Sequence, residues 1–111
     1  MNMQDLIKKI QLLEYHQKLM LEMLAPQTFP FNKLIIEKGL NEQKVNSFLG
    51  YCDKLSNQLE EQKAEGFVYY HPLFNEFIQA LPANIQAKEA IDACLKQDLF
   101  VPLMREFKKY I

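Results

Sequence analysis

Apolar residues recur near the start of the chain at Met3, Leu6, Ile10, Leu13, Met20 and Leu24, alternately three and four positions apart, with one polar break at Gln17. That spacing is an a/d heptad seam, and it predicts a helix over Met3–Leu24. Ile7 and Leu21 widen the seam on one flank, while Leu12 and Leu19 form a second strip well around the cylinder. Such a helix carries more apolar surface than one neighbour can cover. It is expected to lie between its own domain and another subunit, which makes Met3, Leu6, Ile10, Leu13, Gln17, Met20 and Leu24 the candidate oligomer interface. A domain that covers both strips by itself is the alternative. Gln17 takes an a position, where a polar side chain fixes register at some cost in stability.

The remaining pattern predicts shorter helices. Pro26 and Pro30 break the chain over residues 25–30, because proline removes a donor and restricts the residue before it. A helix from about Phe31 to Lys38 carries Leu34, Ile35 and Ile36, and Gly39 suits its C′ position, with Leu40 folding back in a Schellman ending. Asn41 is a good N-cap for a third helix reaching about Glu65, and Leu40 and Val45 are placed as a hydrophobic staple. Its core stripe is Val45, Phe48, Leu49, Cys52, Leu55 and Leu59, with Gly50 on the polar face. After Gly66, the run Phe67-Val68-Tyr69-Tyr70 reads as an extended connector. A fourth helix from about Pro72 uses Leu73, Phe74, Phe77, Ile78 and Leu81, and Pro82 stops it. A fifth from about Ile85 to Lys96 uses Ala87, Ile91, Cys94 and Leu95. The last, capped by Asp98, carries Leu99, Phe100, Leu103, Met104, Phe107 and Ile111, and Pro102 must fall in its first turn or move its boundary. The fold class is therefore all-α, with five to six helices: a long N-terminal helix over 1–24 packed on a compact helical core over 31–111, within one domain.

Composition agrees with this. The 111 residues are 49% hydrophobic and 24% charged, which is ordinary globular usage for one domain. Three valines and one threonine speak against a sheet. The net charge of −1 gives no field to draw in nucleic acid or an anionic membrane. Arg105 is the sole arginine, so the usual bidentate reader of phosphate and guanine is nearly absent. No apolar run suits a membrane span, and Asp5, Lys8 and Lys9 interrupt the stretch where a secretory signal would lie. A cytoplasmic chain with reduced Cys52 and Cys94 is expected.

Little here suggests chemistry. His16 and His71 are the two histidines, and neither belongs to a metal signature. A nucleophilic pair of Cys52 or Cys94 with His71 is conceivable in space, but both thiols sit mid-helix with nothing to activate them; they read as small core residues. His16 lies beside the seam, where burial between subunits would make assembly pH-sensitive. Two serines and three scattered glycines cannot furnish a nucleophile elbow or a phosphate cradle. No cofactor, metal or catalytic residue is expected. In the aromatic group, Phe67, Phe74 and Phe77 are expected in the core, with the tyrosines at its margin; Tyr69 and Tyr70 are the candidate partner groove.

The helix from Phe31 to Lys38, the Gly39 turn and the helix that follows have the outline of a helix-turn-helix, with Asn41, Glu42, Lys44, Asn46 and Ser47 on the would-be recognition face. That face holds a carboxylate and no arginine, and the second helix is long for the motif.

The segment LIIEKGL at Leu34–Leu40, then Cys52-Asp53 and QKAEGFV at Gln62–Val68, with Leu13-Glu14-Tyr15 upstream and Pro30-Phe31 between, resembles the YhaI-like family of small uncharacterised Bacillus-type proteins. The resemblance runs from about Leu13 to Phe107. It implies an all-helical, oligomeric protein in the cytoplasm of a Gram-positive bacterium, and no activity. Tyr70-His71-Pro72 and Gln97-Asp98, both at helix caps, depart from the family pattern. Together these readings point to a non-enzymatic homo-oligomeric interaction or regulatory module, with a small DNA-binding regulator as the alternative.

Overall fold

The computed structural model describes residues 2–24 and 28–111, and part of the break expected over 25–30 lies outside them. The described residues form six helices: α1 (Met3–Met23), α2 (Pro30–Lys38), α3 (Glu42–Ala64), α4 (His71–Ala80), α5 (Ala87–Lys96) and α6 (Val101–Lys108). No strand occurs among the described residues; Phe67–Tyr70 is irregular connector.

The cap chemistry explains most of the boundaries. Asn2 and Asp5 form a capping box, the Asn2 side chain accepting from the Asp5 amide at 2.9 Å. Gly39, at φ 66°, closes α2 in a Schellman motif: its amide donates to Ile36 and that of Leu40 to Ile35. Asn41 caps α3 through the Lys44 amide at 2.8 Å. Gly66, at φ 92°, repeats the Schellman ending at the far end of α3, with Phe67 donating to Gln62.

Helices α2 to α6 form the core. α5 packs on α6 and α2, and α3 packs on α4 and α6. Phe48, Cys52, Leu55 and Leu59 of α3 are buried, as the stripe predicts; Val45 and Leu49 are half-buried at its edge. Leu73, Phe74 and Phe77 join them from α4, and Leu103, Met104 and Phe107 from α6. Aromatic rings thread the interior: Phe31 on Phe48 at 6.0 Å, Phe48 on Phe77 at 5.9 Å, Phe77 on Phe107 at 4.9 Å and Phe107 on Phe74 at 5.6 Å. Pairs at these separations add to the stabilisation that burial alone gives.

Several expectations are corrected. Asp98 does not cap α6. Asp98 and Phe100 both take left-handed backbone, at φ 57° and 51°, in the tight α5–α6 turn. The helix starts at Val101 because Pro102 is tolerated only in a first turn. Ile85 lies before α5, buried within the loop. Ile36, Ile78 and Ile111 are exposed instead of buried.

One side chain ties distant parts together. Gln97, just beyond α5, accepts at Oε1 from the amides of Phe31 (2.9 Å) and Asn32 (3.2 Å), and its Nε2 donates to Asn32 Oδ1 at 3.0 Å. It therefore caps the N-terminus of α2 from 65 residues away, where Phe29, at the N-cap position, has no side-chain oxygen to offer.

Candidate assembly surface

α1 has no buried residue. The seam side chains stand in solvent: Met3 is 70% exposed, Leu13 66% and Met20 58%. Leu6, Ile10 and Leu24 are exposed with them, and so are Leu12 and Leu19 of the second strip. The expected packing on the domain occurs only near the C-terminal end, where Leu21 is half-buried. At that corner Leu21 and Leu24 face Phe29 and Ile36 of the α2 region across a cleft of about 590 Å³. At 100° per residue, the apolar positions of α1 are spread over roughly 240° of its circumference. The polar remainder holds Gln4, Lys8, Gln11, Lys18 and Glu22.

The two tyrosines part company. Tyr69 is 64% exposed and belongs, with Phe67 and Val68, to an apolar surface at the start of α4. Tyr70 is only 5% exposed, so it cannot line a groove. Its amide donates to the Tyr110 hydroxyl at 3.2 Å, and its own hydroxyl donates to the Phe67 carbonyl. Its carbonyl accepts from Leu73 and Phe74 at the start of α4. Phe67, expected in the core, is 51% exposed. The Schellman turn at Gly66 directs it outward, and Tyr70 takes the interior place because its hydroxyl finds a backbone partner there.

The thiols are inert by environment. Cys52 and Cys94 are free and fully buried. Burial pushes the Cys94 thiol up to about 12. Cys52 is pushed higher still, by burial first and by Cys94 second. No cation contributes to either shift, so neither thiol is activated for attack. His71 packs among rings, 5.9 Å from Tyr69, 5.1 Å from Tyr110 and 5.9 Å from Phe74. Among the described residues no group of three or more His, Cys, Asp or Glu is placed to hold a metal ion, and no helix is long and apolar enough to cross a membrane.

Asn41, Glu42, Lys44, Asn46 and Ser47 are all exposed on the first turns of α3. Asn41, Lys44 and Ser47 border an open, mixed-polarity cleft that also touches Lys38, Tyr51 and Asn84. Asn84 spans its edge by donating to the Lys38 carbonyl at 2.8 Å.

Periodicity identified the seam but could not show that α1 leaves the domain so completely, because that depends on whether the remaining helices close a core without it. The role of Gln97 gave no local signal, since its partners lie 65 and 66 residues away. A family model described as protein of unknown function (DUF1878) matches residues 3–111, nearly the whole chain, α1 included. The chain belongs to the DUF1878 family.

Proposed function

We propose that this protein is a non-enzymatic homo-oligomeric interaction module, assembled through α1 helices of separate copies. The observation that carries this reading is the exposure of nearly the whole length of a helix whose apolar residues follow a heptad repeat. Helical stability in proteins comes mainly from tertiary packing, and α1 buries none of its residues against the rest of the chain. Contiguous exposed apolar surface on this scale marks an association site. The raised thiols and the ring-packed His71 supply no activated nucleophile, which weighs against an enzyme. Within the family, the motif at Leu34–Leu40 and the run at Gln62–Val68 favour a place beside the YhaI-like members, and with it a cytoplasmic location in a Gram-positive bacterium.

Sedimentation equilibrium tests the reading. The intact protein is expected to sediment as an oligomer at micromolar concentration, and the I10D/L13D variant as a folded monomer. A wild-type monomer across that range would end the proposal. The exposed face at the start of α3 keeps DNA binding as the second reading; a salt-dependent shift of duplex DNA that survives in the I10D/L13D monomer would favour it.

A further inference from the structure

We infer that α1 pairs with α1 of a second copy in a parallel, in-register coiled coil, whose register is set by Gln17 facing Gln17 and by Lys9 of each copy facing Glu14 of the other. The inference rests on the proposed assembly and specifies its geometry. The heptad places Met3, Ile10, Gln17 and Leu24 at a and Leu6, Leu13 and Met20 at d. The flanking e positions are Ile7, Glu14 and Leu21, and the g positions within the helix are Lys9, His16 and Met23. Lys9 and Glu14 are thus the Lys and Glu on the flanks, and they sit five residues apart. In parallel, in-register helices, a g residue meets the e residue five positions later on its partner. The two charges therefore meet as opposite pairs, once on each side of the seam. The same register stacks the two Gln17 amides, which can donate to and accept from one another.

Antiparallel pairing loses both features. It sets a layers against d layers, so Gln17 comes to lie opposite Leu6 in one register and opposite Leu13 in the next. Its amide is then desolvated against a leucine, which costs free energy. In the first of these registers Lys9 approaches His16, and in the second the two Glu14 carboxylates approach each other. α1 is free to accept a parallel partner over most of its length, because every seam residue from Met3 to Met20 is exposed.

The test uses the full chain and four proteins: wild type, K9E, E14K and K9E/E14K. Each single charge reversal turns two attractions into two repulsions, and the dissociation constant is expected to rise about tenfold. The double reversal is expected to return it to within about twofold of wild type. A Q17C variant should form an intersubunit disulfide on mild oxidation, because in-register a positions bring the two Cα atoms within disulfide reach. Cys52 and Cys94 are buried and do not compete. If wild type and all charge variants associate equally and Q17C does not cross-link, the parallel register is wrong while the assembly stands. If wild type is a monomer, both are wrong.

Discussion

Gln97 joins the end of α5 to the start of α2 by three hydrogen bonds. It serves two backbone amides and one side chain of α2. Q97A strips the Phe31 and Asn32 amides of their acceptor and Asn32 Oδ1 of its donor, and is expected to cost about 1–2 kcal/mol, in the range of a lost N-cap; urea denaturation of the I10D/L13D background would measure it free of association. The thiols give a second prediction at this scale. Cys52 and Cys94 stay protonated in the folded state well past the ordinary thiol range, whereas the unfolded chain ionises from about pH 9. Above that pH the unfolded state binds fewer protons than the folded one, so stability falls as pH rises toward 12. Thermal melts between pH 8 and pH 11 should show the decline, with a shallower slope in C52A/C94A. In the native protein both thiols should resist a thiol-specific chromogenic reagent until denaturant is added. The burial of these cysteines was legible in the α3 and α5 stripes. The exchange of Phe67 and Tyr70 was not, because hydrophobicity ranks Phe above Tyr and only the Tyr70 hydroxyl's partner, the Phe67 carbonyl, reverses the order.

Among the elements, those with local punctuation were read most accurately. Gly39, Asn41 and Gly66 each end or start a helix where the sequence places them, because the cap needs only a few adjacent residues. The start of α6 was misplaced because Asp98 looks like a cap, while Pro102 and the left-handed turn impose a later one. α3 contains Gly50 on its exposed face, and a Cβ there would meet nothing within 4 Å. G50A should therefore stabilise the protein by about 0.5–1 kcal/mol through helix propensity, read as a raised denaturation midpoint with unchanged m-value. Loss of oligomerisation in G50A without loss of fold would assign that face to an interface as well. α1 behaves differently. If α1 is covered by copies of itself as proposed, its helicity depends on them, and far-ultraviolet circular dichroism should show helix content falling on dilution while the near-ultraviolet signal of the aromatic core persists. A helix signal independent of concentration would show that α1 is held by something other than copies of itself.

At the scale of the molecule, the radius of gyration is 17.6 Å, against roughly 13 Å for a compact domain of this length. The long axis of 61 Å reflects α1 standing off a core built by α2 to α6. The sequence supplied both parts, the heptad and the compact remainder, but the separation between them is a property of how the other five helices close on Phe77, Phe107 and Ile91 without it. F107A removes the ring that joins Phe74 to Phe77. It should cost about 3–5 kcal/mol, much of the stability of a small domain, and a melting curve would show it as unfolding near ambient temperature. The placement of Gln97 has a mechanical consequence. Any tension carried along α1 from an assembly enters the domain through α2, the next helix in the chain. α2 is moored to α5 by the Gln97 clamp, by buried Phe31 and Leu34, and by the half-buried Lys38–Glu89 pair at 3.6 Å. In the proposed assembly, the junction of α2 with α5 would be the hinge pin between the paired helices and the domain. Under load it should yield before the aromatic interior, releasing α1 and α2 together as one long tether.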